Sequence, residues 1–159
     1  MRGRALAVGL AAGAAGTALM TAWQEVAQRA RRGGDADDGA TDPAWEDAPA
    51  PAQVARRLLA PLRIDPPPTW IQPLTHAMHW GYGTAWGVGY AVAAGGSRSD
   101  ALRRGLALGT AVWAASYAQL VPLGIYEPPW RYPPNELALD LSYHLVYGVG
   151  VAGAHAALA

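Results

Sequence analysis

The chain contains no cysteine and no lysine. The absence of cysteine among its 159 residues excludes disulfide bonds, thiolate metal sites and thiol nucleophiles. All twelve basic residues are arginine, and they balance twelve acidic residues, so the formal net charge is zero. Because the charge is balanced, the composition gives no indication of a nucleic-acid partner.

Long apolar segments make up most of the rest of the chain. A bilayer core about 30 Å thick requires about 20 helical residues, and four segments have roughly this length: 5–23, 70–94, 102–126 and 137–159. The mean hydropathy of the whole chain is only slightly positive because the 33–68 loop is polar and rich in proline. We therefore predict an all-α fold, an integral membrane four-helix bundle in a single domain, with the lipid bilayer as its partner.

The first apolar segment also has features of a signal peptide. Arg2 and Arg4 provide a charged start that an apolar stretch follows. However, no small-x-small cleavage pattern follows, and Trp23 and Glu25 continue the helical register as far as Arg29. We expect this segment to remain as a membrane helix.

The connecting segments differ in composition. Residues 33–51 carry six acidic side chains and few large apolar ones, which predicts a partly disordered, solvated loop. Residues 54–62 predict a short amphipathic helix that lies along the lipid headgroups. Residues 127–135 are rich in proline and aromatic side chains, which predicts a rigid cap at the membrane interface.

Small residues recur at the spacing that allows helices to pack closely. Glycines four positions apart lie on one helix face and let two backbones approach each other, which replaces the hydrophobic drive that lipid cannot supply. The glycines that we predict to lie at helix contacts are Gly83, Gly87, Gly105, Gly109 and Gly148.

Ionisable side chains gather at one membrane face if consecutive helices alternate in direction. At mid-depth in a bilayer such a group costs at least ~2.5–3.5 kcal/mol, so a cluster of them is a candidate functional site. Its members lie near the starts or ends of the predicted helices. They are Glu25, His76, His79, Glu136, Asp140 and His144. The last three follow at four-residue intervals and form one stripe of a helix.

Three interpretations fit this cluster. Histidine titrates near physiological pH, so the histidines and carboxylates could bind, relay or sense protons. Alternatively, His76, His79, Asp140 and His144 could hold a divalent metal, as facing helices do in bundle cores, although the His-x-x-His spacing lacks the zinc-protease pattern. In the third interpretation the cluster only fixes helix packing, and no cofactor is involved.

Several of these side chains have simpler explanations. Glu25, His79 and Glu136 could lie at the interface, where charged ends reach water at little cost. His155 is expected to be solvated near the chain end, and Trp113 is expected to pack or to face lipid.

The order of motifs along the chain resembles the YagU-like family of small four-helix bacterial inner-membrane proteins. The motifs that carry the resemblance are GLAAGAAGTALMTAWQEVAQR at 9–29, Thr75-His76, Gly89-Tyr90, Tyr117 leading to Pro122 and Gly124, PPW at 128–130, Asn135-Glu136 and His144-Leu145-Val146. Residues that match the family pattern are Glu25, His76, Tyr90, Glu136 and His144. The chain departs from the pattern in its acidic first loop, in His79 and in the lack of a basic tail. The resemblance implies both termini in the cytoplasm, an association with survival in acid, and no established enzymatic activity or cofactor.

The orientation that the resemblance implies differs from the one that arginine counting favours. The first loop carries six arginines, and this count favours a cytoplasmic location for the first loop. We adopt the orientation of the family. The sequence thus predicts a non-enzymatic inner-membrane protein, proton-responsive and linked to acid stress. A metal-binding membrane enzyme or carrier, and a packing or assembly subunit, are the alternatives. Each of these interpretations is compatible with a homo-oligomer or with a second membrane protein as partner.

Overall fold

The computed structural model of the protein describes residues 2–32, 44–95 and 100–159. Within these ranges the chain forms five α-helices and no β-strand, which confirms the all-α prediction. The helices are α1 (Arg2–Arg32), α2 (Ala50–Leu59), α3 (Ile71–Ala94), α4 (Ala101–Leu120) and α5 (Pro134–Leu158). Most of the acidic loop that the sequence predicts to be disordered, residues 33–43, lies outside the described residues.

The four long helices pack as a bundle in which each helix runs antiparallel to the neighbour that it contacts most. α1 lies between α3 and α5, and α5 lies between α1 and α4, while the Gln119 side-chain amide of α4 donates a hydrogen bond of 3.0 Å to the Tyr82 hydroxyl of α3. As a result, the end of α1, the start of α3, the end of α4 and the start of α5 share one end of the bundle. The facing pairs that set these directions are Gly9 with Val88, Thr21 with His79, Gly105 with Val149, and Trp113 with Asp140. We call the end that holds Thr21, His79, Trp113 and Asp140 the polar end.

Two helix boundaries differ from the predicted ones for local reasons. α1 continues past residue 23 to Arg32, and its last turns carry a Glu25–Arg29 ion pair of 3.1 Å, which supports a helix at this spacing. α4 ends at Leu120 rather than at residue 126, because Pro122 has no N–H with which to continue the helical hydrogen bonds. The segment after α4 is therefore a loop that reaches the start of α5.

Two helices of the described part are long and apolar enough to cross a membrane: residues Gly3–Arg31 within α1, and α5. Only 28% of the most apolar window of each is buried, so much of their apolar surface faces outward, unlike the core helix of a soluble protein. α3 and α4, which were predicted as further spans, are not among the helices that meet this criterion. α3 carries His76 and His79, and α4 has Arg103 and Arg104 in its first turn.

Glycines bring the helices into backbone contact. At seven of them an added Cβ would come closer than 3.0 Å to the backbone of the facing helix, so only glycine fits at the observed helix separation. These are Gly9, Gly13, Gly16, Gly87, Gly105, Gly109 and Gly148. Gly83 instead faces the side chain of Thr17. The five glycines singled out from the sequence all lie at helix contacts.

A second small core attaches the segment before α3 to the helix bundle. Ala48, Ala52 and Ile71 are buried together, and Trp45 and Leu74 pack around them. α2 begins at Ala50, four residues before the predicted amphipathic stretch, because proline is well accommodated in the first turn of a helix and Pro51 lies there. This core places α2 against α3.

Polar contacts extend the segment across the polar end. The Trp45 indole N–H donates a hydrogen bond of 3.1 Å to the carbonyl of Pro66, and the Arg57 guanidinium donates to the carbonyl of Leu123 beyond α4. Leu58 and Leu62 remain 62% and 67% exposed. The segment therefore links α3 to the end of α4 and presents leucines outward.

The glycine contacts predict that added bulk is harmful only where a helix faces another helix. Gly148→Leu and Gly87→Leu should destabilise the protein by at least the ~1–3 kcal/mol typical of overpacking, or prevent folding. Gly153→Leu and Gly89→Leu, on the same two helices, meet nothing within 4 Å and should be neutral or gain up to ~1 kcal/mol of helix propensity. Thermal unfolding in detergent measures the difference, and equal stabilities within each pair would contradict the packing described here.

Candidate functional site

Asp140 joins α4 to α5 at the polar end. Its Oδ2 accepts a hydrogen bond of 2.9 Å from the Trp113 indole N–H and one of 3.2 Å from the Tyr117 hydroxyl. Trp113 and Tyr117 are four residues apart, so both side chains lie on one face of α4. Trp113 was expected only to pack or to face lipid, and its hydrogen bond to a carboxylate is a role that the sequence analysis missed. The four-residue spacing of Trp113 and Tyr117, two aromatic hydrogen-bond donors, is the sequence signal that could have indicated this role.

His144 is held by its own helix. Its Nδ1 lies 2.9 Å from the backbone carbonyl of Asp140 and 3.8 Å from the Asp140 carboxylate. Because a carbonyl oxygen only accepts, Nδ1 must carry the proton of the neutral ring. His144 is 9% exposed, and a further proton would have to add at Nε2. An Asp140–His144 contact therefore exists, but it lies within α5 and does not join two helices.

His79 is held by α1. Its Nε2 lies 3.2 Å from the Thr21 hydroxyl, and that hydroxyl already donates its one hydrogen to the carbonyl of Thr17 at 2.9 Å. Thr21 must then accept from His79, so Nε2 carries the proton of the neutral ring. His79 is half-buried and lies at the same polar end as His76 and His144.

The other predicted members of the cluster lie nearer the surface. Glu25 is exposed and forms the ion pair with Arg29. His76 and Glu136 are also exposed. The polar end thus has a part-buried group of His79, Asp140 and His144, with three exposed ionisable residues around it.

A small cavity lies beside Asp140. Its volume is about 260 Å³, and its polar and aromatic lining consists of Tyr117, Tyr126, Tyr132, Tyr143, Glu136 and Asp140, with Arg31 from the end of α1. The sequence analysis assigned no pocket here, because two of the tyrosines belong to the loop after α4 and a sequence pattern does not show where a loop folds.

The tyrosines of this cavity stand at large angles to one another. The ring centres of Tyr117 and Tyr126 are 5.3 Å apart with planes inclined by 55°, and those of Tyr117 and Tyr132 are 6.1 Å apart with planes inclined by 81°. Tyr126 lies beyond the end of α4. Burial, followed by the charge of Asp140 and the neighbouring Tyr132, raises the pKa of Tyr126 to about 12. Its phenol is therefore neutral at physiological pH.

His155 lies at the opposite end of the helix bundle and is buried. The expectation that it is solvated was wrong, because it is 1% exposed and packs edge to face against Tyr90 with ring centres 5.3 Å apart. Its Nδ1 has no hydrogen-bond partner among the described residues. Proximity to the chain end was a poor guide here, since α5 stays in contact with its neighbours almost to its last turn.

The metal interpretation gains no support from the geometry. Among residues 2–32, 44–95 and 100–159, no group of three or more His, Asp or Glu side chains is arranged to hold a metal ion. The hypothesis that His76, His79, Asp140 and His144 bind a divalent metal stays a prediction.

Comparison of the chain with protein-family models, with curated proteins and with solved structures finds no match. The resemblance to the YagU-like family therefore stays an expectation drawn from the sequence motifs.

The hydrogen bonds at Asp140 predict a large effect of removing its carboxylate. Asp140→Ala leaves the Trp113 N–H and the Tyr117 hydroxyl without their acceptor, which should cost about 1–3 kcal/mol of unfolding free energy. Asp65→Ala is the matched control, because that carboxylate is exposed and forms only a surface ion pair with Arg56, worth about 0–1 kcal/mol. Denaturant unfolding measures both, and an Asp140→Ala variant as stable as the control would show that the two bonds do not hold α4 to α5.

Proposed function

We propose that this protein is a non-enzymatic, multi-pass membrane protein whose histidine and carboxylate cluster at the polar end responds to protons. The observation that carries the proposal is that His79 is half-buried at the same polar end as Asp140 and His144. In this proposal the protein resides in a bacterial inner membrane with both termini in the cytoplasm. The link to acid stress rests on the resemblance to the YagU-like family.

The membrane part of the proposal is supported by the exposed apolar surface. α1 and α5 are long, apolar and largely unburied, and side chains such as Leu6 and Leu10 face outward. At the polar end, Leu58, Leu62 and Trp130 are exposed, Trp130 by 82%. An arginine-rich helix with outward leucines and a nearby tryptophan suits the headgroup region. α3 and α4 complete the bundle as the second and third spans.

The proton response is supported by the arrangement of hydrogen bonds. The neutral forms of His79 and His144 use their single N–H in structural bonds to Thr21 and to the Asp140 carbonyl. Each ring therefore keeps these bonds when it takes up a second proton, and the added charge is the main change. The Asp140 carboxylate lies 3.8 Å from the His144 ring, whereas no described carboxylate lies within ion-pair distance of His79.

The sign of the response follows first from the burial of His79 and then from the neighbouring histidines. A proton on His79 places a charge on a half-buried ring and adds repulsion from His76 and His144 in the folded protein, whereas in the unfolded chain the ring is hydrated and the three groups are separated. Acid thus disfavours the folded arrangement of the polar end, and the repulsion acts between α3 and α5. Opening of these helices at one end is the conformational response that we propose.

A packing role for the cluster is the second candidate. The hydrogen bonds from Trp113 and Tyr117 to Asp140 favour it, since they join two helices whether or not any histidine titrates. The two functions differ in their dependence on pH.

The proton-responsive function predicts that the melting temperature in detergent falls by a few degrees between about pH 7 and pH 5, the range in which histidine titrates. His79→Gln and His144→Gln should each flatten this response, because either change removes one member of the repelling pair while a hydrogen-bonding side chain remains. Glu25→Gln, which changes an exposed residue of α1, should keep the full response.

The results separate the two candidates. A melting temperature that is constant over this range, or a full response in the His79→Gln variant, would reject the proton-responsive function and leave the packing role.

The topology of the proposal can be tested by labelling, since the chain has no cysteine of its own. Single cysteines at Asp47 and Asn135, both exposed, should react with a membrane-impermeant maleimide from the same, non-cytoplasmic side. A cysteine at Asp100, before α4, should react from the cytoplasmic side. Labelling of Asp47 and Asn135 from opposite sides would refute the four-span arrangement, and labelling of both from the cytoplasmic side would reverse only the orientation.

A further inference from the structure

We propose that the cavity beside Asp140 binds a small organic cation, a substituted ammonium group, between the tyrosine rings and the Asp140 carboxylate. The site goes beyond the proposed function, because it uses the tyrosines of α4 and of the following loop rather than the histidines. Asp140 is the one residue that the two have in common.

The walls of the cavity have the composition of a cation site. Tyr117, Tyr126 and Tyr132 stand at 55° and 81° to one another, so their rings form adjoining walls rather than a stack. Aromatic rings attract a cation through the negative potential of their faces, and cages of such rings recognise substituted ammonium groups. A neutral phenol such as that of Tyr126 attracts a cation through the face of its ring, and it carries no charge of its own.

A carboxylate supplies the charge at the base of the cavity. Both hydrogen bonds to Asp140 end on Oδ2, and Oδ1 accepts no hydrogen bond from the described part of the chain. Glu136 adds a second carboxylate and Arg31 one guanidinium. Two negative charges and one positive charge leave one negative charge, which a monovalent cation neutralises.

The size of the cavity limits the ligand. Pockets for drug-sized molecules measure roughly 300–1,000 Å³, and this one measures about 260 Å³. A compact substituted ammonium ion fits that volume. Because the lining combines apolar ring surface with a carboxylate, it suits an ion with methyl groups better than a strongly hydrated metal ion.

The loop that carries two of the tyrosines is held in place before any ligand arrives. The Tyr132 hydroxyl accepts a hydrogen bond of 3.1 Å from the Glu127 backbone N–H, and Arg131 forms an ion pair of 2.9 Å with Glu127. Arg57 also binds the carbonyl of Leu123 near the start of the loop. A preformed site loses less conformational entropy on binding.

The test is isothermal titration of the purified full-length protein in detergent with tetramethylammonium chloride, with sodium chloride at the same ionic strength as the reference. The wild-type protein should show saturable binding of tetramethylammonium and none of sodium. Tyr126→Leu and Tyr132→Leu should weaken binding by roughly tenfold, the effect of losing one ring face of a cation site. Tyr126→Phe keeps the ring and should bind within about twofold of the wild type.

Trp130→Leu is the matched control, since Trp130 belongs to the same loop but is 82% exposed and does not line the cavity. It should bind like the wild type, and circular dichroism confirms that each variant is folded. Absence of saturable binding to the wild type would overturn the proposal. So would equal affinity in Tyr126→Leu and Trp130→Leu, or a loss in Tyr126→Phe as large as in Tyr126→Leu. The His79→Gln variant should still bind tetramethylammonium, so failure of the cation site and failure of the proton response are separate results.

Discussion

The backbone contact between helices at glycine is the constraint on which the polar end depends. Gly105 and Gly109 of α4 lie directly against α5, and an added Cβ at Gly109 would meet the carbonyl of His144. This contact fixes both the distance and the register of the two helices. One turn further towards the polar end, the same register brings the Trp113 indole to the Asp140 carboxylate. A wider separation at the glycines would move donor and acceptor out of hydrogen-bond range.

Tyr147 of α5 connects α5 to α1 and α3 in a comparable way. Its ring lies against Gly16 of α1, and its hydroxyl donates a bond of 2.5 Å to the carbonyl of Gly83 in α3. A buried tyrosine hydroxyl requires such a partner, and Tyr147 is almost fully buried. Because this one side chain contacts α1 and α3 as well as belonging to α5, it holds these three helices together. In the proposed proton response the helices could therefore separate only between Tyr147 and the polar end.

The sequence was sufficient for features that depend on local composition and span parity. Long apolar runs predicted the four long helices, and alternation of direction predicted that His79, Asp140 and His144 share one end. It was not sufficient for contacts that join distant segments. The bond of Arg57 to the Leu123 carbonyl, the placement of Tyr126 beside α5 and the burial of His155 each depend on which neighbour a side chain meets. Helical periodicity gives the face of a residue, but several packings of four helices satisfy the same set of faces.

The position of Asp140 has a consequence for the two proposals taken together. Its carboxylate lies 3.8 Å from His144 on one side and lines the aromatic cavity on the other. A proton on His144 and a cation in the cavity would both be attracted by this one charge, and they would repel each other across it. Each therefore weakens the binding of the other by the same factor, as thermodynamic linkage requires. The glycine contacts that hold α4 against α5 keep this coupling local, since the Asp140 side chain cannot move away from either group without losing its bonds to Trp113 and Tyr117.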